Sequence, residues 1–542
     1  MGTTLLRNGK VIDGIGTPAF EGHILIEGDR IKDVLTGTTV LPQADTIIDA
    51  SGLAVAPGFI DAHSHLEYLL HLDDHPDLLK CQVEQGITTL VGGNCGFSPA
   101  PVTTEMLRTD SFPAVMLFLA RDRNWRSMGE FLETIQETKP IINLAQLVGH
   151  ATVRVAAANT SRGPMNRDEL RECLDKVQRA LDEGSCGLSF GLGYEPGIYS
   201  PQEEVEAFSA VAAKAGKPVT VHLRAYSRRS YGYPLTYLKP HNLRALREMI
   251  EVAEHTGASL QVSHFMLTFR NSWSMVDECL KVIEDARSTG INIMMDAIPY
   301  SYVNGPVDAT FSPSVLARFP QGYRSRWLRM RVWAEQNMVL RTMGYSMKYL
   351  QLLDPNVDGW KDLIGRTIDE IAREWKMSQS AAMLRIRESS KGQAMLLLHR
   401  FSGEPGRERA IDAIVSHNLC LIGSDAWISR NGYPHPAAFG TFPRVLGYYV
   451  RERKLFSIES AIRRMTSASA DRFGLKDRGR LVSGKAADII VFDPKSIAET
   501  PGDGKKPPGR PVGIHHVFLN GAHVVRDGAY VSTARAGRVL RV

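Results

Sequence analysis

The sequence has little of what marks secreted, membrane-spanning or nucleic-acid-binding proteins. Its 542 residues include only six cysteines, which do not form the disulfide framework of a secreted scaffold and suit a reducing compartment. No apolar run approaches the length of a membrane span, about 18 residues, and no apolar stretch follows a basic region near Met1, which predicts no secretory signal. The 64 basic and 59 acidic residues nearly cancel, so the charge does not indicate nucleic-acid binding. We therefore expect a cytoplasmic protein whose partners include neither nucleic acid nor a membrane.

Eight apolar, strand-like segments alternate with helix-like segments along the middle of the chain. They lie near residues 55–62, 87–94, 141–149, 185–191, 218–223, 258–264, 290–296 and 418–424. Such alternation is typical of parallel strands joined by crossover helices. Eight units of this kind predict an α/β fold, a closed (β/α)8 barrel of the TIM-like type.

The two chain ends and one long insertion complete the expected architecture. Residues 1–54 and 478–542 are rich in short strands with turn signals, and we expect them to form one small β-sandwich domain. The barrel then covers residues 55–302 and 386–477. Residues 303–385, rich in Trp, Met and Arg, predict a helical insert before the last barrel strand, either a lid over the barrel mouth or an amphipathic subdomain with a solvated basic face.

Metal-ligating side chains follow five of the predicted barrel strands. In a parallel barrel the active residues lie at the C-terminal ends of the strands, and residues two apart on a strand point to the same side. Each of these side chains alone is a weak signal, but six at the same end of the barrel are an improbable coincidence. The six residues are His63, His65, Cys95, His222, His264 and Asp425.

This set of imidazole, thiol and carboxylate groups suits zinc. A structural zinc is the main alternative, but structural sites usually use closely spaced, paired ligands, and these residues are scattered over the barrel. A zinc ion with an open position lowers the pKa of bound water toward about 7 and polarises a carbonyl group. Asp425 beside it would take the proton of the water and pass it to the leaving group. The predicted chemistry is hydrolysis of a carbon–nitrogen bond, or deamination.

Longer segments resemble one enzyme family over nearly the whole chain. Residues 57–65, 93–101, 187–199 and 440–447 resemble the amidohydrolase superfamily, and more narrowly its N-acyl-D-amino-acid deacylases, the D-aminoacylases. The Asn-Cys-Gly-Phe-Ser-Pro stretch at residues 94–99 is specific to this branch. The resemblance implies a distorted (β/α)8 barrel with a small β domain built from both chain ends, and a zinc-dependent hydrolysis of a small-molecule amide.

The same resemblance implies roles for the residues of the metal site. It implies a tight zinc held by Cys95, His222 and His264, and a weaker or empty second site at His63 and His65 that the Cys95 sulfur bridges. The aspartate after the eighth strand matches the catalytic aspartate of the family. The fourth strand ends without the lysine that bridges two metals in many other amidohydrolases, and a bridging thiolate explains its absence.

Substrate recognition is where the sequence departs from the family. There a Tyr, a Lys and an Arg hold the α-carboxylate of the substrate; Tyr194 matches the Tyr, but Met266 and Ala437 stand at the other two positions. Carboxylate binding depends strongly on such cations. Either a nearby cation such as Arg224, Arg228 or Arg229 replaces them, or the substrate is a bulky acyl amide without a free α-carboxylate, and we favour the second interpretation.

Some residues and two functions stay open at this point. Ser189 is expected to contact substrate, and His150 and Arg444 lie in matching segments in which they are either structural or functional. One alternative function is hydrolysis of a cyclic amide or imide, as in hydantoinases. The other is a non-catalytic scaffold, which we disfavour because such chains typically lose metal ligands. Nothing in the sequence indicates the oligomeric state.

Overall fold

An eight-stranded parallel sheet forms the centre of the protein. The computed structural model describes residues 2–37, 40–102, 106, 125–158, 163–234, 237–319, 321–428, 432–502 and 507–542. The barrel strands, numbered one to eight in chain order, are Phe59–Asp61, Ile87–Gly92, Asn143–Gly149, Gly187–Gly191, Pro218–His222, Ser259–Val262, Ile293–Ala297 and Cys420–Ile422. Each strand pairs in parallel with the next one along the chain. Each of the eight predicted segments therefore contributes one strand to the barrel.

Backbone hydrogen bonds just beyond the strand ends close the barrel. The Ala62 N–H donates to the Ile422 carbonyl (3.2 Å), and the Asp425 N–H donates to the His63 carbonyl (2.8 Å). The first and last strands are thus joined at the end where the predicted metal ligands lie. Strands two, three and four are buried at every position, as expected for strands covered on both faces.

Helices surround the barrel and begin and end at recognisable capping residues. Asn166 accepts hydrogen bonds from the N–H groups of Asp168 and Glu169 and starts the fourth helix, and Gly257 ends the sixth in a left-handed conformation that suits glycine. Before the insert, the helices within the described residues are His75–Glu84, Met128–Glu137, His150–Ala158, Arg167–Asp182, Gln202–Lys214, His241–Thr256 and Val276–Ser288. Those after it are Arg409–Ser416, Ala437–Arg444, Ile458–Met465 and Ser467–Arg472.

Both chain ends join one nine-stranded mixed sheet. The two ends meet where Ala54–Pro57 pairs antiparallel with Ile489–Phe492. The predicted strand at 55–62 is therefore two strands, one in this sheet and one in the barrel. The other strands of the sheet are Thr3–Val11, Phe20–Glu27, Arg30–Leu35, Thr46–Asp49, Ile514–Leu519, Ala522–Arg526 and Ala529–Tyr530. A separate pair joins Ala498–Thr500 to Gly509–Val512.

The insert differs from the prediction, because it contains a sheet and extends further than residue 385. Met395–Leu398 pairs antiparallel with both Val303–Pro306 and Leu350–Asp354, and residue 385 lies inside the helix Gln379–Ser390. The pattern of a four-residue apolar run does not distinguish a strand from a buried helix. The central strand, Met395–Leu398, could therefore not be predicted from the sequence. The remaining helices of the insert are Pro313–Leu316, Arg326–Ala334, Leu340–Thr342 and Ile368–Glu374.

The insert has an apolar core of its own, separate from that of the barrel. Leu328, Val332, Leu352, Ile371 and Leu396 are among its buried members.

Among the described residues, no helix combines the length and the apolar character that crossing a bilayer requires.

Candidate metal centre

The barrel brings all six predicted metal-site residues together at one end. The Cys95 sulfur lies 3.2 Å from His264 Nε2, 3.4 Å from His63 Nε2 and 3.9 Å from His222 Nδ1. His222 Nδ1 is 2.9 Å from His264 Nε2. These residues follow strands that are far apart in the sequence, and only closure of the barrel makes them neighbours.

The catalytic candidate Asp425 lies beside the two histidines that follow the first strand. Its Oδ1 is 3.2 Å from His65 Nε2 and 3.5 Å from His63 Nε2. Its side chain is 15% exposed, against 0% for His63, so the carboxylate reaches the cavity above the site. Although burial would raise the pKa of Asp425, His65, His63 and His264 lower it, which keeps the carboxylate ionised.

Three residues of the site have backbone conformations that side chains rarely adopt. Cys95, His264 and Asp425 have φ values of 57°, 32° and 47°. Left-handed conformations are uncommon outside glycine and cluster at functional sites, where surrounding structure holds them. Other non-glycine residues, such as Phe269 and Arg400, also have positive φ values, but Cys95, His264 and Asp425 are the ones whose side chains meet at the site.

Hydrogen bonds hold the turn that carries Cys95. The Ser189 hydroxyl accepts from the Gly96 N–H (3.1 Å) and donates to the Gly93 carbonyl. The Tyr194 hydroxyl donates to the Cys95 carbonyl (2.7 Å). Ser189 is fully buried and its hydroxyl bonds only to this turn among the described residues. The prediction that it contacts substrate is therefore wrong. Tyr194 also lines the cavity.

The imidazoles around Cys95 favour its thiolate form. Burial alone would raise the pKa of the thiol, but His264 and His63 lower it well below its usual value. A thiolate is the form in which cysteine binds a metal. The other five cysteines are also buried, and burial raises the pKa of each of them to about 12, so Cys95 differs in its neighbours rather than in its exposure.

The donor set fits a zinc ion. Zinc bonds of about 2.0–2.1 Å to nitrogen and about 2.3 Å to sulfur, in a tetrahedron, separate the ligand atoms by about 3.3–3.7 Å. The separations around the Cys95 sulfur are close to this range. Within the described residues, donors converge as Cys95 with His222 and His264, as Cys95 with His63 and His65, and as His63 with His264 and Asp425.

Sequence reasoning missed two buried carboxylates behind the ligands. Asp296 Oδ1 accepts the His264 N–H (2.7 Å) and lies 3.2 Å from His63 Nδ1. Glu67 accepts the Gly93 N–H (2.7 Å), and burial raises its pKa to about 7. Asp296 could have been found from the sequence, because it lies at the C-terminal end of the seventh barrel strand, just as the metal ligands lie at the ends of theirs. The sequence indicates Glu67 less clearly, because its only mark is that it lies two residues after His65.

A cavity of about 350 Å³ opens above the site between the barrel and the insert. The site residues at its base are His65, Cys95, His222, His264 and Asp425. Most of the remaining wall is apolar and comes from the insert and the barrel loops. Its larger apolar members include Phe269, Phe311, Leu316, Met343, Met395 and Trp427.

Arg224 does not offer its positive charge to a substrate in the cavity. Arg224 lines the wall, but its Nε and Nη2 donate to Glu248 (3.2 and 3.0 Å) and its Nη1 donates to the Ile198 carbonyl (2.9 Å). Every nitrogen of the guanidinium is thus bound within the protein, which corrects its prediction as a substrate contact. Met266 does line the cavity. Ala437 is buried away from it, at the start of the helix Ala437–Arg444.

His150 and Arg444 have structural partners. His150 Nε2 lies 2.9 Å from Glu204 Oε1, which also accepts from Arg154 Nε (2.9 Å). Arg444 pairs with Glu499 and donates to the Pro299 carbonyl (2.7 Å). Neither lines the cavity described above.

A barrel with imidazole, thiolate and carboxylate groups converging at its mouth defines a metal-dependent hydrolase, and the comparisons with known proteins place it. The sequence profile of the amidohydrolase family matches residues 46–374 and 386–531. N-acyl-D-glutamate deacylase and D-aminoacylase of Alcaligenes xylosoxydans xylosoxydans are each 30% identical over 99% of this chain and over 96% and 97% of their own. The chain belongs to the amidohydrolase family, in its D-aminoacylase branch.

Solved structures agree with this assignment. D-aminoacylase, described as having a binuclear metal centre, matches with a TM-score of 0.82 and 28% identity over the whole of both chains. N-acyl-D-glutamate deacylase from Bordetella bronchiseptica, complexed with zinc and a phosphonate inhibitor, matches with a TM-score of 0.80 and 28% identity over 99% of both chains. The D-hydantoinase of Thermus sp., at 16% identity and a TM-score of 0.55, shares the fold alone. The protein is therefore a metal-dependent enzyme that acts on non-peptide carbon–nitrogen bonds, and the scaffold alternative is set aside.

Proposed function

We propose that the protein hydrolyses the acyl amide of a D-amino-acid derivative whose acyl group is bulky and apolar and whose α-carboxyl group is not free. The D configuration is supported by the relatives, which are named as deacylases of N-acyl-D-glutamate and N-acyl-D-aspartate and as a D-aminoacylase. The observation that carries the rest is the cavity wall, where Met266 replaces a cation and Arg224 is bound to Glu248.

Cys95, His222 and His264 would hold one zinc tightly, and His63 and His65 would complete a second, weaker site shared through the Cys95 sulfur. Zinc bound there supplies a Lewis acid for the amide carbonyl and makes water a better nucleophile. The ligand side chains come from four different strand ends, so the barrel holds them in position before any metal binds. This preorganisation lowers the cost of forming the site.

Asp425 moves the proton in this proposal. Its ionised carboxylate borders the cavity and accepts a proton from the attacking water. It then donates that proton to the amide nitrogen as the carbon–nitrogen bond breaks and the amine leaves. A carboxylate that stays ionised among imidazoles is suited to accept first and donate second. Tyr194 borders the same cavity and is placed to contact the substrate.

A hydrolysis screen tests the substrate class. Zinc-loaded enzyme is given N-acyl-D-amino acids and the corresponding carboxamides, with small and bulky acyl groups, and released amine is measured. We expect the carboxamides with bulky acyl groups to be preferred. Clear preference for the free acids would contradict the proposal and leave Arg229, which also lines the cavity, as the residue to examine. Turnover of ring amides but not of linear ones would select the hydantoinase-like alternative.

The variant Asp425→Asn tests the role of the carboxylate. We expect its turnover to be abolished while its metal content stays close to that of the wild type, because the tight ligand set does not include Asp425. Measurable wild-type-like activity in this variant would refute the assigned proton transfer.

A further inference from the structure

The helix that follows residue 325 exposes an unusual number of large apolar side chains. Trp327, Met330, Trp333 and Met338 are 46%, 63%, 51% and 59% exposed. They lie on the helix Arg326–Ala334 and its continuation toward Leu340, whose inner residues Leu328 and Val332 pack into the core of the insert. Scattered exposed apolar residues are normal, but a contiguous group marks an interaction site.

The same segment has a strong positive charge. Residues 318–348 contain seven basic residues and one acidic residue, whereas the two signs nearly balance over the whole chain. The single acid, Glu335, is already paired with Arg331 (3.0 Å). Arg318, Arg324 and Arg326 are exposed. We call residues 318–348 the basic helical segment.

The basic helical segment adjoins the mouth of the active-site cavity. Leu340, two residues after the exposed Met338, lines the cavity, as do Met343 and Leu316 on either side of the helix. Tyr231 also lines the cavity. A partner bound to the segment would therefore face the cavity opening.

We propose that the basic helical segment docks the enzyme on an anionic phospholipid surface, with the cavity mouth toward the lipid. A helix that exposes Trp and Met among arginines is typical of binding in the plane of the membrane interface, where the rings lie at headgroup depth and the guanidinium groups meet anionic headgroups. Trp327 already lies against two guanidinium groups, those of Arg318 (4.6 Å) and Arg331 (5.3 Å). The sequence-based expectation of no membrane partner rested on the lack of a spanning run, which a surface helix does not need.

The charge also argues against a second copy of the chain as the occupant. A twofold-symmetric contact brings the same patch of both subunits together. It would oppose two sets of exposed arginines with no free carboxylate in residues 318–348 to neutralise them. Like charges placed across an interface are strongly unfavourable. An anionic bilayer supplies the missing negative charge.

Co-sedimentation of the full-length enzyme with vesicles tests the proposal. We expect binding to vesicles of phosphatidylglycerol and phosphatidylcholine in equal parts, little binding to phosphatidylcholine alone, and release by salt. The variant Arg324→Glu/Arg326→Glu should lower the partition coefficient at least about tenfold, and Met330→Ser/Trp333→Ser should also lower it. All four side chains are exposed, so neither variant disturbs a core.

A matched control separates this surface from net charge. Arg247→Glu/Arg526→Glu makes the same change in charge at two exposed positions outside the segment, and it should bind vesicles like the wild type. A wild-type enzyme that stays in solution with anionic vesicles, or a control that loses binding as strongly as the segment variant, would overturn the proposal. A dimer that Met330→Ser/Trp333→Ser converts to a monomer would assign the face to a second copy and also overturn it.

Fluorescence gives a second readout that does not depend on affinity. Lipids brominated on the acyl chains should quench the tryptophan emission of the bound wild type. Trp327→Phe/Trp333→Phe keeps the apolar character and should remove most of this quenching. Unchanged fractional quenching in that variant would show that another surface meets the lipid.

Discussion

Replacing Asp296 by Asn should weaken metal binding without touching a metal ligand. The carboxylate accepts the His264 N–H at 2.7 Å and the Gln261 side-chain amide at 2.8 Å, and lies 3.2 Å from His63 Nδ1. It thus holds the strained backbone of one ligand and the ring of another. Asn is almost the same size but carries no charge, and its amide must present a donor to one of these partners.

The size of the effect follows from the contacts that change. A hydrogen bond to a charged acceptor contributes about 1.5–3 kcal/mol, which corresponds to a factor of about ten to a hundred and fifty in an equilibrium constant. Replacing a carboxylate that orients a metal-bound imidazole typically costs ten- to a hundredfold in metal affinity or activity. We therefore expect the dissociation constant of the tight metal to rise about ten- to a hundredfold.

Competition with a chelator measures this change directly. The matched control is Asp488→Asn, which alters a buried carboxylate bonded to Arg478 and Asn143 and to the Asn520 N–H in the terminal β sheet. That variant should lose stability but keep the metal affinity of the wild type. An Asp296→Asn enzyme that binds metal as tightly as the wild type would refute the reasoning, and so would an equal loss in the control.

Two further predictions concern stability and specificity. Glu204 is held by His150 and Arg154; although burial would raise its pKa, these partners lower it from 4.5 to about 2. Because the pKa of Glu204 is lower in the folded state than in the unfolded state, the ionised carboxylate stabilises the fold fully above about pH 4.5, and this stabilisation is lost as the pH falls toward 2. Glu204→Gln should therefore lower the free energy of unfolding by about 3 kcal/mol at neutral pH and by much less in acid. Urea unfolding at both pH values checks this, with Glu203→Gln on the same helix, at an exposed position, as the control; a gap from the wild type that does not narrow in acid would contradict it. Met266→Lys should raise kcat/KM for free-acid substrates relative to carboxamides by about tenfold or more, and Met266→Leu should leave the ratio unchanged; the same ratio in both variants would show that position 266 does not face the carboxylate.

Much of the site was predictable because barrel geometry has a simple rule. The ends of parallel strands meet at one edge, so His63, Cys95 and His222 could be grouped without knowing any distance. The rule says nothing about side chains that the fold then uses internally. Arg224 and Ser189 lie in segments that match the family, yet the structure binds the first to Glu248 and the second to the Cys95 turn.

The sequence by itself determined the order and the direction of the strands, because apolar periodicity and turn residues act locally along the chain. It also determined which donor atoms end those strands. Only the tertiary structure decided the rest, namely the sheet inside the insert, the Asp296 carboxylate behind the ligands, and the commitment of Arg224 to Glu248. These depend on pairings between residues far apart in the chain, whose distances and desolvation arise only when the barrel closes.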